Sequence, residues 1–171
     1  MKQTAEYLKP FFGPIVRQSF NKFIELSDAR LQGYVAGILA DFCASDRLWS
    51  IRSADGKPLA GIGSLIEMSD PVFGRASSFE VEREVRKYIG DYTLFLSGIL
   101  PVDSPNFRRS WARREEDSSD VVAVGKESYF IVASIDEIER PKEAPLFTDL
   151  HRHFELCVEG LHDVAHKINM C

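Results

Sequence analysis

Ser77-Ser78-Phe79-Glu80-Val81-Glu82-Arg83-Glu84-Val85-Arg86-Lys87-Tyr88-Ile89-Gly90-Asp91-Tyr92-Thr93-Leu94-Phe95-Leu96-Ser97-Gly98-Ile99-Leu100-Pro101 decides the fold class. Ser77 and Glu80 have the Ser-x-x-Glu spacing of a capping box, in which each side chain satisfies an amide left open at a helix start. Val81, Val85, Tyr88, Ile89, Tyr92, Phe95 and Ile99 then recur with the period of a helix that buries one face. Pro101 stops it, because proline lacks the amide that would continue the ladder. Gly90 and Gly98 lie inside the helix, where glycine costs about 1 kcal/mol against alanine. Their presence predicts close neighbours, with Gly90, Gly98 and Gly125 letting central helices approach. Asp91 sits between apolar turns and needs a partner if buried. A helix end or an arginine from residues 102–119 is the expected one.

Helical spacing continues on both sides of this stretch. Towards the C-terminus, Asp120 to Glu139 carries apolar residues on more than one side, which predicts a central, buried helix. Pro141 and Pro145 then punctuate the chain. A last helix is expected from there to the C-terminus, with Phe147, Leu150, Phe154, Cys157, Leu161, Val164 and Ile168 inward. Towards the N-terminus, Tyr7, Leu8, Phe11 and Phe12 form a short amphipathic lead. Gly13-Pro14 reads as the start of a helix with Pro at its first position, running to about Leu26. Ser27-Asp28 opens another, with Leu31, Tyr34, Val35, Ile38, Leu39 and Phe42 as its stripe. Residues 46–76 are the least regular, with a small extended ribbon possible near residues 47–60 and a short helix over Leu59–Met68. The whole reads as an all-α protein: one domain over 1–171, a bundle or array of five to six helices.

The bulk composition restricts function. At 171 residues, 44% hydrophobic and 27% charged, the chain is an ordinary globular one. A formal net charge of −5 argues against a broad phosphate-neutralising surface, so nucleic acid is an unfavoured partner. The three cysteines, Cys43, Cys157 and Cys171, show no paired spacing, which suits a reducing compartment. No apolar run reaches the roughly 20 residues needed to span a bilayer, and no secretory leader is visible. A cytoplasmic location with no membrane contact is expected.

The four histidines, His151, His153, His162 and His166, all fall on the last helix. His162 and His166 face the same way, and Glu159 stands three residues before His162, a Glu-x-x-His unit. Two such units and two further glutamates build a di-iron site, and no second unit exists. Glu159, His162 and His166 are therefore read as a solvated flank, and no metal or cofactor is expected. Gly125-Lys126-Glu127-Ser128 echoes the end of a phosphate loop without its upstream glycine, so Gly125 is read as a packing glycine. Arg108, Arg109, Arg113 and Arg114 surround Trp111, but Glu115, Glu116 and Asp117 follow at once and cancel much of that field. No Gly-x-Ser-x-Gly elbow occurs.

The run Tyr88-Ile89-Gly90-Asp91-Tyr92-Thr93-Leu94-Phe95-Leu96-Ser97-Gly98, followed by Gly125-Lys126-Glu127-Ser128-Tyr129, resembles a bacterial family of uncharacterised helical proteins. Those carry a Gly-Asp-x-x-Leu-Phe-x-Ser-Gly stretch before a Gly-x-x-Ser-Tyr stretch. The resemblance covers roughly the C-terminal half and implies a small cytoplasmic bacterial protein, with no reaction attached. Since no complete catalytic set can be assembled, the leading expectation is a non-catalytic interaction or regulatory domain. Aromatic residues in 7–24 suggest a homodimer or another protein partner. Two alternatives stand beside it. One is a bundle enclosing a small apolar ligand, with Asp91, Tyr92 and Tyr129 as polar lining. The other is a metal-dependent enzyme using His162 and His166.

Overall fold

A computed structural model describes residues 2–44, 78–99 and 121–168. Among them are six α-helices and no strand: α1 (Lys2–Phe20), α2 (Ala29–Cys43), α3 (Phe79–Ile99), α4 (Val121–Glu139), α5 (Ala144–Arg152) and α6 (Phe154–Ile168). The protein is thus an all-α bundle. None of these helices is long and apolar enough to cross a membrane. The ribbon expected near residues 47–60, the short helix over Leu59–Met68 and the arginine cluster around Trp111 lie outside the described residues.

Local chemistry accounts for most boundaries. Asp28 caps α2, its carboxylate accepting from the Arg30 amide at 2.8 Å. The α1–α2 connection is a 3-10 turn, Ile24–Leu26. Ser77 lies outside the described residues, and the first capping bond of α3 comes from its neighbour. The Val81 amide donates to Ser78 Oγ at 3.3 Å, and Glu80 is taken by Arg140 at 2.6 Å. Two boundaries differ from the sequence reading. Gly13-Pro14 starts nothing, because α1 runs through both Pro10 and Pro14. Both prolines are exposed, so each ring and each lost amide bond falls on the solvent side. The last helix is two: α5 ends at His153, whose φ of −111° and ψ of 26° break the ladder before α6.

The packing follows from glycine. An added Cβ on Gly90 of α3 would lie 2.5 Å from the Tyr129 ring of α4, and one on Gly125 would collide with Thr93 and Phe154. These contacts, with Arg83 on Asp136, fix α3 and α4 as an antiparallel pair in close register. Gly98 does the same for α3 against Leu161 of α6, and Gly160 of α6 admits the Phe20 ring of α1. The first three were expected as sites of close approach; Gly160 was not. All six helices feed one apolar core, with Phe20, Tyr129, Phe147 and Phe154 at its centre.

α4 is not buried all round. It packs against α3 and α5, and its outer side leaves Phe130 55% and Ile138 83% exposed. Their apolar character made the helix read as central, although they serve no interior face. Phe130 is partly covered by the His151 ring at 5.3 Å.

Candidate functional site: a buried carboxylate between three helices

Asp91 is 2% exposed in the middle of α3. Its Oδ1 accepts from the Tyr34 hydroxyl of α2 at 2.7 Å and from the Tyr129 hydroxyl of α4 at 2.9 Å. Lys87, one turn earlier on α3, reaches Oδ2 at 3.3 Å. The partners among the described residues are two tyrosines and a lysine, while the arginines of residues 102–119 lie outside the described residues. Tyr34 and Lys87 carried no signal of this role in sequence, since Tyr34 reads as part of an apolar stripe and Lys87 as a surface cation. Lys87 also stands 5.4 Å over the Tyr34 ring, so cation, ring and carboxylate support one another.

Tyr129 is fully buried, with its ring against Gly90, Phe147 and Phe154. Burial, and then the charge of Asp91, push its phenol well above the ordinary tyrosine range. It acts as a hydrogen-bond donor to Asp91 and not as a base. Tyr92 does not join the group. Adjacent residues on a helix point apart, and Tyr92 packs instead with Tyr88 and Phe42.

A second buried ionic group lies further along the same seam. Arg83, 4% exposed, grips Asp136 through Nε at 2.6 Å and Nη2 at 2.9 Å, and also meets Glu84 and Glu143. Its guanidinium lies over the Phe147 ring at 5.6 Å. Bidentate geometry of this kind orients two helices as well as neutralising charge.

Of the C-terminal candidates, Glu159, His162 and His166 stand on the exposed side of α6. The His162 Nε2 is 2.9 Å from the Ser97 carbonyl of α3, so one of the two spaced histidines is turned to backbone. Among the described residues no group of three or more His, Cys, Asp or Glu is placed to hold a metal ion. The Cys157 thiol is buried and pushed up to about 12 by that burial, which suits a packing residue better than a nucleophile. Lys126 pairs with Glu155 at 2.7 Å, and Gly125 is in the helix seam. Two surface hollows lie along α4 and α5: one of about 370 Å³ beside Glu137, Pro145 and Asp149, and one of about 300 Å³ beside Phe130, Ser134 and His151. Asp91, Tyr92 and Tyr129 line neither.

Chemically, the Asp91 group is a clamp. One carboxylate satisfies donors from three helices, leaving both tyrosine hydroxyls committed. No protein-family model, curated protein or solved structure matches this chain.

Proposed function

We propose that this chain is a non-catalytic interaction domain that pairs with a second copy of itself through the outward side of α1. The observation that carries this reading is an aromatic stripe in water: Tyr7 is 81% exposed and Phe11 55%. They are one turn apart, with exposed Pro10 and Pro14 beside them. The same helix buries Phe12, Val16 and Phe20 on its inner face, so α1 is apolar on both sides. Contiguous apolar surface is uncommon on monomers and usually marks an interface.

The flanking charges fit a self-partner. Glu6 and Arg17 are both exposed and flank the stripe on one edge, equally far on either side of the Phe11–Phe12 bond. Antiparallel two-fold pairing of α1 sets Glu6 of one copy against Arg17 of the other, twice. A domain of this kind would act as a dimeric regulatory module in the cytoplasm, bacterial if the likeness of its Gly-Asp and Gly-x-x-Ser-Tyr stretches is one of descent.

Sedimentation equilibrium at tens of micromolar tests the reading. The expected result is a dimer that becomes monomeric in Tyr7→Glu/Phe11→Glu, both surface positions. Glu6→Lys or Arg17→Glu should each weaken the dimer, and the two together should restore it. A monomeric wild-type protein overturns the proposal. A dimer indifferent to all four substitutions places the contact elsewhere and overturns the role of α1.

A further inference from the structure

We propose that Arg86 anchors a buried anion site in the α3–α4 seam, one that takes a carboxylate or phosphate group. Arg86 is 8% exposed, and both its Nε and its Nη1 are buried without a hydrogen-bond partner among the described residues. A guanidinium out of water and without a counter-charge is costly, and native structures almost always supply an acceptor. Arg83, one turn earlier on α3, shows what satisfaction looks like here, with Asp136, Glu84 and Glu143 around it.

Three carboxylates of α3 and α4 are already committed. Asp136 is held by Arg83, Glu80 by Arg140, and Asp91 by two tyrosines and Lys87. Arg86 occupies the same stripe of α3 as Gly90 and Thr93, the positions that meet α4. Arg86 thus starts from the side of α3 that faces α4, and its two unpaired donors lie away from open surface. The planar guanidinium with fixed N–H directions matches an oxyanion in a way that a lysine ammonium does not. An external carboxylate or phosphate, free or at the end of a small ligand, supplies both the missing charge and the missing acceptors.

Equilibrium dialysis of labelled inorganic phosphate and labelled acetate against the wild-type chain tests this, at constant ionic strength set with chloride. The expected result is one saturable site for at least one of the two anions, and which of them binds identifies the class. Arg86→Gln should weaken it at least about tenfold, the loss of a charge-assisted bond. Arg86→Lys should retain part of it, and Lys126→Gln, a surface cation on α4, should leave it unchanged. If Arg86→Gln does not fold, dialysis of the wild-type protein still decides. Binding of neither anion by the wild-type chain overturns the proposal, as does undiminished binding in a folded Arg86→Gln.

Discussion

Gly90 and Gly33 are both helical glycines, and their surroundings give them opposite meanings. A Cβ on Gly90 would be driven into the Tyr129 ring at 2.5 Å, whereas one on Gly33 of α2 would meet nothing within 4 Å. Gly90→Ala is therefore expected to destabilise by about 1–3 kcal/mol through overpacking of a rigid neighbour. Gly33→Ala should stabilise by about 0.5–1 kcal/mol, because it removes only the backbone entropy of glycine. Urea unfolding of the two variants checks both signs, and a neutral Gly90→Ala would refute the close approach of α3 and α4. Sequence placed glycines in the right helices but could not separate these two, since spacing carries no information about what lies opposite. Asp91 is similar. Its need for a partner was legible from the apolar turns around it, while the identity of Tyr34 and Tyr129 was not.

At the scale of elements, Asp91 joins α2, α3 and α4 through two phenols on one oxygen. Tyr129→Phe keeps the ring against Phe147 and Phe154 and removes one donor from a buried carboxylate. It is expected to cost about 1–3 kcal/mol. Tyr34→Phe should cost less, since Tyr34 is only partly buried. A double-mutant cycle is expected to show coupling, because both hydroxyls serve the same acceptor. Additive losses would mean that the two bonds act independently. The helices themselves were largely readable. Periodicity found α2, α3 and the apolar face of α6, although α3 is buried on nearly every side from Thr93 to Ile99. It misjudged α4, whose outer Phe130 and Ile138 extend the apolar character beyond the buried face. It also ran α5 into α6, because the break at His153 is carried by backbone angles and not by a glycine or proline.

Across the whole molecule, Asp163 of α6 is tied to the turn after α1 by Lys22 at 3.0 Å, and it also meets Lys167 of its own helix at 3.0 Å. A hydrogen bond from Ser19, followed by those from the two lysines, holds its carboxyl well below the ordinary aspartate range. A depressed folded value stabilises fully above the unfolded value of about 4 and is lost as pH falls towards the folded one. The melting temperature should drop from about pH 5 downward and continue to drop below about pH 3, less steeply in Asp163→Asn. Identical slopes in the two proteins would remove Asp163 from acid unfolding. The sequence by itself determined that the protein is helical, because 3.6-residue spacing and stop signals act within a few turns of chain. It also raised Gly90, Gly98 and Gly125 as places of close approach, for which the structure supplied the neighbours Tyr129, Leu161, Thr93 and Phe154. Only the tertiary structure decided which phenols meet Asp91, that Arg86 is buried with two nitrogens unpaired among the described residues, and that Tyr7 and Phe11 face water. These are relations between residues far apart in the chain, set by which helix lies against which, and local spacing does not encode them.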